Sequence, residues 1–277
     1  MVAGPAAGNR PRRIDRRPIV LIATLIVLLV VMVAGVALGA VRVPVADIFA
    51  VLTGDRTGTQ RFIIWNLRLP RVLLAAMVGM NLAVAGSVLQ SVTRNPLADP
   101  QLLGLSAGGA LVAVVALRIA PGAALGSQPP LTFLGSLAGA LLVYLLAWRG
   151  GVSPLRLILA GVAVGALLTA LTTGLLLASP LTVQVIMSWL AGAFYARSWP
   201  YVQTLAPYWA FGLIAAWLLA RRLDLLALGD EPAATLGVRV QRLRALLTAI
   251  AALLTGSTVA VAGQIGFVGL IVPHAAR

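Results

Sequence analysis

From Ile19 to Val41 the chain runs 23 residues without a charged side chain. At about 1.5 Å of rise per residue, a helix of that length crosses the roughly 30 Å hydrocarbon core of a bilayer. Inside lipid every backbone N–H and C=O must be satisfied within the chain, so such a run commits the polypeptide to spanning helices. Comparable runs recur at 72–92, 102–117, 131–148, 157–178, 201–220 and 245–262, and an eighth starts at 266–277. With 60% hydrophobic and 10% charged residues, a water-soluble core could not hide the apolar surface. The fold class that follows is all-α, a polytopic membrane protein. Residues 1–17, rich in Pro, Gly and Arg, form a polar tail, and the apolar run after them is too long for a secretory signal.

The connectors are short. Residues 42–71 are amphiphilic, with Phe62 and Trp65 suited to the membrane interface. Residues 93–100 hold Pro96 and Pro100 and read as a tight turn. Residues 149–156 form a small polar loop. Residues 179–200 are too polar to span and read as an interfacial or re-entrant helix carrying Trp189, Phe194, Tyr195 and Trp199.

All 21 basic residues are arginine. Without lysine there is no P-loop, whose Lys reaches the nucleotide phosphates, and without cysteine there is no disulfide or thiolate chemistry. The net charge of +14 is assigned to arginines at span ends, not to nucleic-acid binding. With the N-terminus inside, fourteen arginines fall on the cytoplasmic side and seven outside, which favours that orientation.

One long polar interruption remains, Arg221 to Arg244, with five arginines and the acids Asp224, Asp230 and Glu231. Within it Gly229-Asp230-Glu231-Pro232 reads as a helix start with Asp230 as N-cap, and Gly237 as the stop. The expectation is a short cytoplasmic helix, about 230–237, between two spans.

Shifting the sequence by 177 residues lays Gly79–Gly86 on Gly256–Gly263 and Pro96 on Pro273. Glycine- and proline-interrupted spans repeated in two halves are how many transporters are built. By that repeat two further spans are expected after the eighth, so the sequence reads as part of a protein with about ten.

None of the seven acids lies within a predicted span, whereas proton and ion coupling use intramembrane ionisable groups. His274 has no second ligand nearby in sequence and reads as a packed or interfacial side chain. Gly35/Gly39, Gly104/Gly108, Gly135/Gly139 and Gly161/Gly165 have the spacing that lets helices approach closely. Polar side chains within spans, notably Asn81, Ser87 and Gln90 on the duplicated helix, either line a path or bond to neighbouring helices.

The segments Leu67-Arg68-Leu69-Pro70-Arg71, Gly79–Leu111 (GMNLAVAGSVLQSVTRNPLADPQLLGLSAGGAL), Leu157–Leu168 (LILAGVAVGALL), Leu228–Val238 (LGDEPAATLGV) and Gly263–Arg277 (GQIGFVGLIVPHAAR) together resemble the iron-siderophore, haem and cobalamin permease family of ABC importers, the FecCD type. The resemblance covers nearly all of the chain from the second span onward, within a permease domain at 18–277. It implies a membrane subunit that forms the translocation path as a homo- or heterodimer in the bacterial cytoplasmic membrane. It also implies cytoplasmic ATPase partners that bind ATP, an extracytoplasmic substrate-binding protein, and no cofactor or catalytic residue on this chain.

Within that scheme Asp230, Glu231, Ala233, Ala234, Leu236 and Gly237 match the coupling helix that sits on the ATPase. Val152, Ser153 and Pro154 fall where the family has its cytoplasmic gate, and Pro154 departs from the pattern. Asn81, Ser87 and Gln90 are the path candidates. Arg56, Arg61, Arg68 and Arg71 are candidates for docking the binding protein, with membrane anchoring the equal reading for Arg68 and Arg71. An ion-coupled secondary transporter built from duplicated helical repeats is the alternative. An integral-membrane enzyme would need an acid or histidine cluster that the sequence lacks.

Overall fold

The computed structural model describes residues 17–39, 41–54, 58–119, 121–178, 192, 194 and 197–276. The tail at 1–16, Arg56, Arg277, Trp189, Tyr195 and most of the expected interfacial helix at 179–200 lie outside the described residues.

The chain divides into two units, Met1–Ile64 and Trp65–Arg277. The first contains α1 (Arg17–Ala37), α2 (Val45–Leu52) and the single turn α3 (Thr59–Arg61). Helix α1 covers most of the first expected span and stops four residues short of Val41. Pro44 precedes α2, its fixed φ of −58° leading into the first turn.

After α3 the backbone widens into π-helical turns over Phe62–Arg68 and continues as α4 (Leu69–Thr93). The helical segment Thr59–Thr93 is therefore 35 residues long, where the sequence suggested an amphiphilic connector up to Arg71. Pro70 is tolerated because it falls in the first turn of α4, where a missing N–H breaks no intrahelical bond.

The second unit adds α5 (Leu105–Ile119), α6 (Pro121–Ala147), α7 (Pro154–Leu177), α8 (Trp199–Ala227), α9 (Asp230–Thr235), α10 (Val240–Ala262) and α11 (Val268–Ala275). Among the described residues five helical segments are long and apolar enough to cross a membrane: those at 18–37, 59–93, 129–147, 154–177 and 240–262. Helix α5 is apolar but only 15 residues long. Helix α8, 29 residues, overlaps the sixth expected span and runs on through Arg221, Arg222 and Asp224. It is less apolar, interrupted by Gln203, Thr204 and Pro207. Its start is anchored where the Trp199 indole N–H donates to the Trp65 carbonyl at 2.8 Å, the two rings 5.3 Å apart.

Two of the small-residue motifs pack on each other. A Cβ on Gly108 would lie 2.4 Å from the Gly135 carbonyl oxygen, and one on Gly139 would lie 2.6 Å from that of Gly104. Gly104/Gly108 and Gly135/Gly139 thus form the seam between α5 and α6, which only backbone hydrogen can fill. Gly165, by contrast, faces open space.

Helix α10 is the enclosed centre, with 78% of its apolar window buried against 22% for α7. The N-terminal half of α4 (Leu74, Met77, Val78, Leu82) clusters with Val261 and Ala262 at the far end of α10. The C-terminal half (Ala85, Val88, Leu89, Val92) clusters with Leu243, Leu247 and Ile250 near its start. The two duplicated helices therefore run antiparallel. At their crossing the Asn81 amide donates to Thr258 Oγ1 at 3.3 Å, and these two residues are 177 apart, the repeat offset itself. A contact that maps onto itself when the repeats are exchanged marks a local two-fold relation, the signature of an inverted repeat.

Candidate functional site

The polar interruption at 221–244 folds as the end of α8, a turn, α9, a second turn and the start of α10. Helix α9 ends as the sequence predicts. Gly237 adopts φ +82°, its N–H donating to the Ala234 carbonyl at 2.9 Å, and the Val238 N–H reaches back to Ala233 at 3.0 Å. That pair of bonds is the Schellman closure, which requires a left-handed residue at the glycine position.

The start of α9 differs from expectation. The N-cap is Gly229 at φ +129°, and Asp230 lies inside the helix without capping it. Its carboxylate is occupied elsewhere. Arg94 and Arg244 both pair with it, Arg244 Nη2 at 2.9 Å from Oδ1 and 3.2 Å from Oδ2. Burial pushes the Asp230 carboxyl upward, but hydrogen bonding and attraction from Arg244, then from Arg94, outweigh it and hold the group below the ordinary carboxylate range. Two charge-assisted partners outcompete the single backbone bond a cap would gain.

Arg244 is only 1% exposed. Its Nη1 donates to the Val152 carbonyl at 2.8 Å. The Val152 N–H in turn donates to Gln241 Oε1 at 3.0 Å, so side chains three apart on α10 hold both polar groups of one peptide residue. Arg94 has left-handed backbone (φ +51°) at the end of α4, and its Nε donates to the Leu226 carbonyl at 3.2 Å.

The remaining residues take these places. Ala233 is fully enclosed and anchors α9, whereas Glu231, Ala234, Leu236 and Gly237 are exposed. Beside them lies a cleft of about 470 Å³ with Arg222, Arg239 and Arg242 around an apolar floor of Leu225, Leu243 and Leu246. Of the expected gate residues, Val152 is buried. Ser153 caps α7, accepting from the Arg156 N–H at 3.4 Å and from Arg156 Nε at 3.0 Å. Pro154 is the first residue of α7, so the connector expected at 149–156 closes at Ser153. Proline starts this helix because its fixed φ suits the first turn.

Asn81 is fully buried and donates to Leu254 O at 3.4 Å as well as to Thr258. Gln90 donates to Gly269 O and Leu270 O at 3.4 and 3.3 Å, and Ser87 to Ala83 O at 2.9 Å. Within this chain Asn81 and Gln90 tie α4 to neighbouring helices, while the Ser87 bond stays within α4. Arg61 is exposed on α3, while Arg68 and Arg71 are half-buried at the start of α4. His274 is exposed in the last turn of α11. Among the described residues no cluster of His, Cys, Asp or Glu could hold a metal ion.

Sequence reasoning missed Arg94, Gln241 and Arg244. Arg239, Arg242 and Arg244 look alike in one dimension, and only the register of α10 decides which of them turns inward.

The geometry has close relatives. The Fe(3+)-citrate import system permease YfmD of Bacillus subtilis is 37% identical over 266 residues, 96% of this chain and 79% of its own length. The achromobactin transport system permease CbrC of Dickeya dadantii is 43% identical, with 91% and 73% covered. A solved structure described as an inward-facing conformation of a metal-chelate type ABC transporter matches with a TM-score of 0.83 at 31% identity, over 94% of this chain and 81% of that one. The model of the FecCD transport family matches residues 26–277. The chain is therefore a member of the FecCD transport family, whose members are membrane permease subunits of ABC importers, with ATPase activity on separate subunits.

Proposed function

We propose that this chain imports an iron chelate of the siderophore or citrate class, with haem or cobalamin the neighbouring possibilities, across the bacterial cytoplasmic membrane. It does so as one of two permease subunits, N-terminus in the cytoplasm, with ATP bound and hydrolysed by separate cytoplasmic subunits. The relatives that carry the substrate class are permeases for ferric citrate and achromobactin. A large chelate crosses between subunits, and Asn81, Ser87 and Gln90 stand nearest the path on α4. A binding protein delivers it to Arg56, Arg61, Arg68 and Arg71.

The observation that carries the reading is α9. It is a six-residue helix fixed to the body by Ala233 and Asp230 while Glu231, Ala234 and Leu236 remain exposed. A soluble partner can grip such a knob, and the arginine-rimmed cleft beside it complements acidic side chains. With Val152, Ser153 and Pro154 as the gate region, a push on α9 reaches the mouth of α7.

Exchanging Glu231 for Arg and Gly237 for a bulky residue is the test. Both variants are expected to abolish co-purification of the ATPase and chelate uptake, and retention of both would refute docking at α9. The alternative, an ion-coupled secondary transporter, is distinguished by deleting the ATPase gene. Uptake must stop on the ABC reading and persist on the other. Among the described residues every acid lies outside the five candidate spans, which weighs against ion coupling.

A further inference from the structure

Three cytoplasmic-side segments meet at Asp230, and none of the contacts is local in sequence. Asp230 on α9 pairs with Arg244 on α10, which donates to the carbonyl of Val152. Val152 precedes Ser153, the cap of α7. The same carboxylate pairs with Arg94, which donates to Leu226 at the end of α8. The loop at 149–153 is braced from its other side as well, since Arg156 Nη2 donates to Gly151 O at 3.0 Å.

We infer that Arg244 is a positioning residue that makes α9 and the loop before α7 move as one body, so that force applied at α9 arrives at the N-terminus of α7. The inference rests on the docking role proposed for α9 and names the side chain that carries its effect onward. The reasoning is physical. Arg244 is enclosed, so its guanidinium cannot exchange a protein partner for water without exposing a buried charge. Its planar fork spans two acceptors on different segments, which a single ammonium cannot reproduce. Val152 is doubly held, by Arg244 at its carbonyl and Gln241 at its N–H. The loop therefore cannot slide along α10 by breaking one bond at a time. Arg94 plays a lesser part, because it is partly exposed and anchors Asp230 to α8, not to the gate loop.

The chain has no cysteine, so paired cysteine substitutions can be spin-labelled cleanly. Labels at exposed Leu228 and Leu155, in the complete importer with its ATPase and binding-protein partners, report the separation of α9's entry from α7's first turn. In the otherwise native chain the separation is expected to be the same without nucleotide and with ATP trapped. In Arg244→Gln it is expected to broaden and shift between the two states while ATPase co-purification stays normal. Arg244→Lys, which keeps the charge but lacks the fork, is expected to lie between.

Should Arg244→Gln fail to fold, the double variant Asp230→Asn/Arg244→Met removes both charges of the enclosed pair, and the Arg94 it unpairs is partly exposed and keeps its bond to Leu226. It is expected to show the same broadening. A native separation that changes with nucleotide, or Arg244 variants that keep it constant, would overturn the inference. So would loss of assembly in proportion to loss of the constant distance. Glu231→Arg serves as the independent check. If it leaves ATPase co-purification intact, the docking reading fails, and the distance result still stands for Arg244.

Discussion

The tightest glycine contact among the described residues yields a quantitative prediction with an internal control. On Gly86 in α4, an added Cβ would stand 1.9 Å from the carbonyl oxygen of Gly269 and 2.6 Å from its carbon. Carbon and oxygen rest at roughly 3.3 Å or more, so Gly86→Ala must drive α11 away by more than about 1 Å. Backbone cannot swing aside as a flexible side chain does. The displacement also breaks the Gln90 bonds to Gly269 O and Leu270 O, already 3.4 and 3.3 Å long. Overpacking costs about 1–3 kcal/mol and each lost interhelical bond about 0.6 kcal/mol, so the total is roughly 2–4 kcal/mol. At about 2–4 °C per kcal/mol for a chain of this size, the melting temperature of the detergent-solubilised protein should drop by several degrees. Gly79 lies on the same helix with nothing within 4 Å of its would-be Cβ. There alanine only improves helix propensity, by about 1 kcal/mol, and Gly79→Ala should melt at or above the native temperature. Equal melting of the two variants would refute the reading of α4–α11 contact.

Further outcomes follow from single contacts. Asn81→Leu should cost about 1 kcal/mol, and a double-mutant cycle with Thr258→Val should recover a coupling energy, since the two side chains bond to each other. Ser153→Ala removes the cap of α7 and should lower stability by about 1 kcal/mol in the same melting assay. Asp230 has a lowered carboxyl pKa, so its stabilisation is complete above the ordinary value near ~3.9 and is lost only as pH falls below that. The melting difference between native protein and Asp230→Asn should therefore be equal at pH 8 and pH 5, and native protein that gains stability relative to the variant as pH falls to 5 would show that the carboxyl is raised, not depressed.

What could be read in advance was whatever repeats or alternates along the chain. The apolar runs predicted helices because length and absence of charge are one-dimensional quantities. The Gly104/Gly108 and Gly135/Gly139 spacings predicted close approach, although not that the two pairs would meet each other. Gly237 was legible because a left-handed helix end has few residues to choose from. Asp230 misled because a good N-cap residue before Glu-Pro was the strongest local signal available, and the long-range partners that claim its carboxylate are 136 and 14 residues away. The extension of α4 back to Thr59 was hidden for a similar reason. Pro70 and the polar residues Gln60, Arg61, Asn66 and Arg68 look like a connector, yet a turn of α-helix, the π-helical turns and the start of α4 carry them as one continuous helix.

The repeat and the site bear on each other through what the repeat fails to copy. Exchange of the two halves preserves the Asn81–Thr258 contact and the antiparallel crossing of α4 and α10. The positions equivalent to Asp230, Arg244 and Arg94 under the 177-residue shift are Thr53, Leu67 and Ile271. None of the three can form this ion pair, so the Asp230–Arg244–Arg94 linkage is not copied by the repeat that supplies the crossed helices. The helix crossing and the charged brace are then separable. The Asn81–Thr258 coupling energy should be the same in the native background and in Asp230→Asn/Arg244→Met, because distant sites that share no partner are additive. A coupling that falls when the brace is removed would show that the two act as one unit.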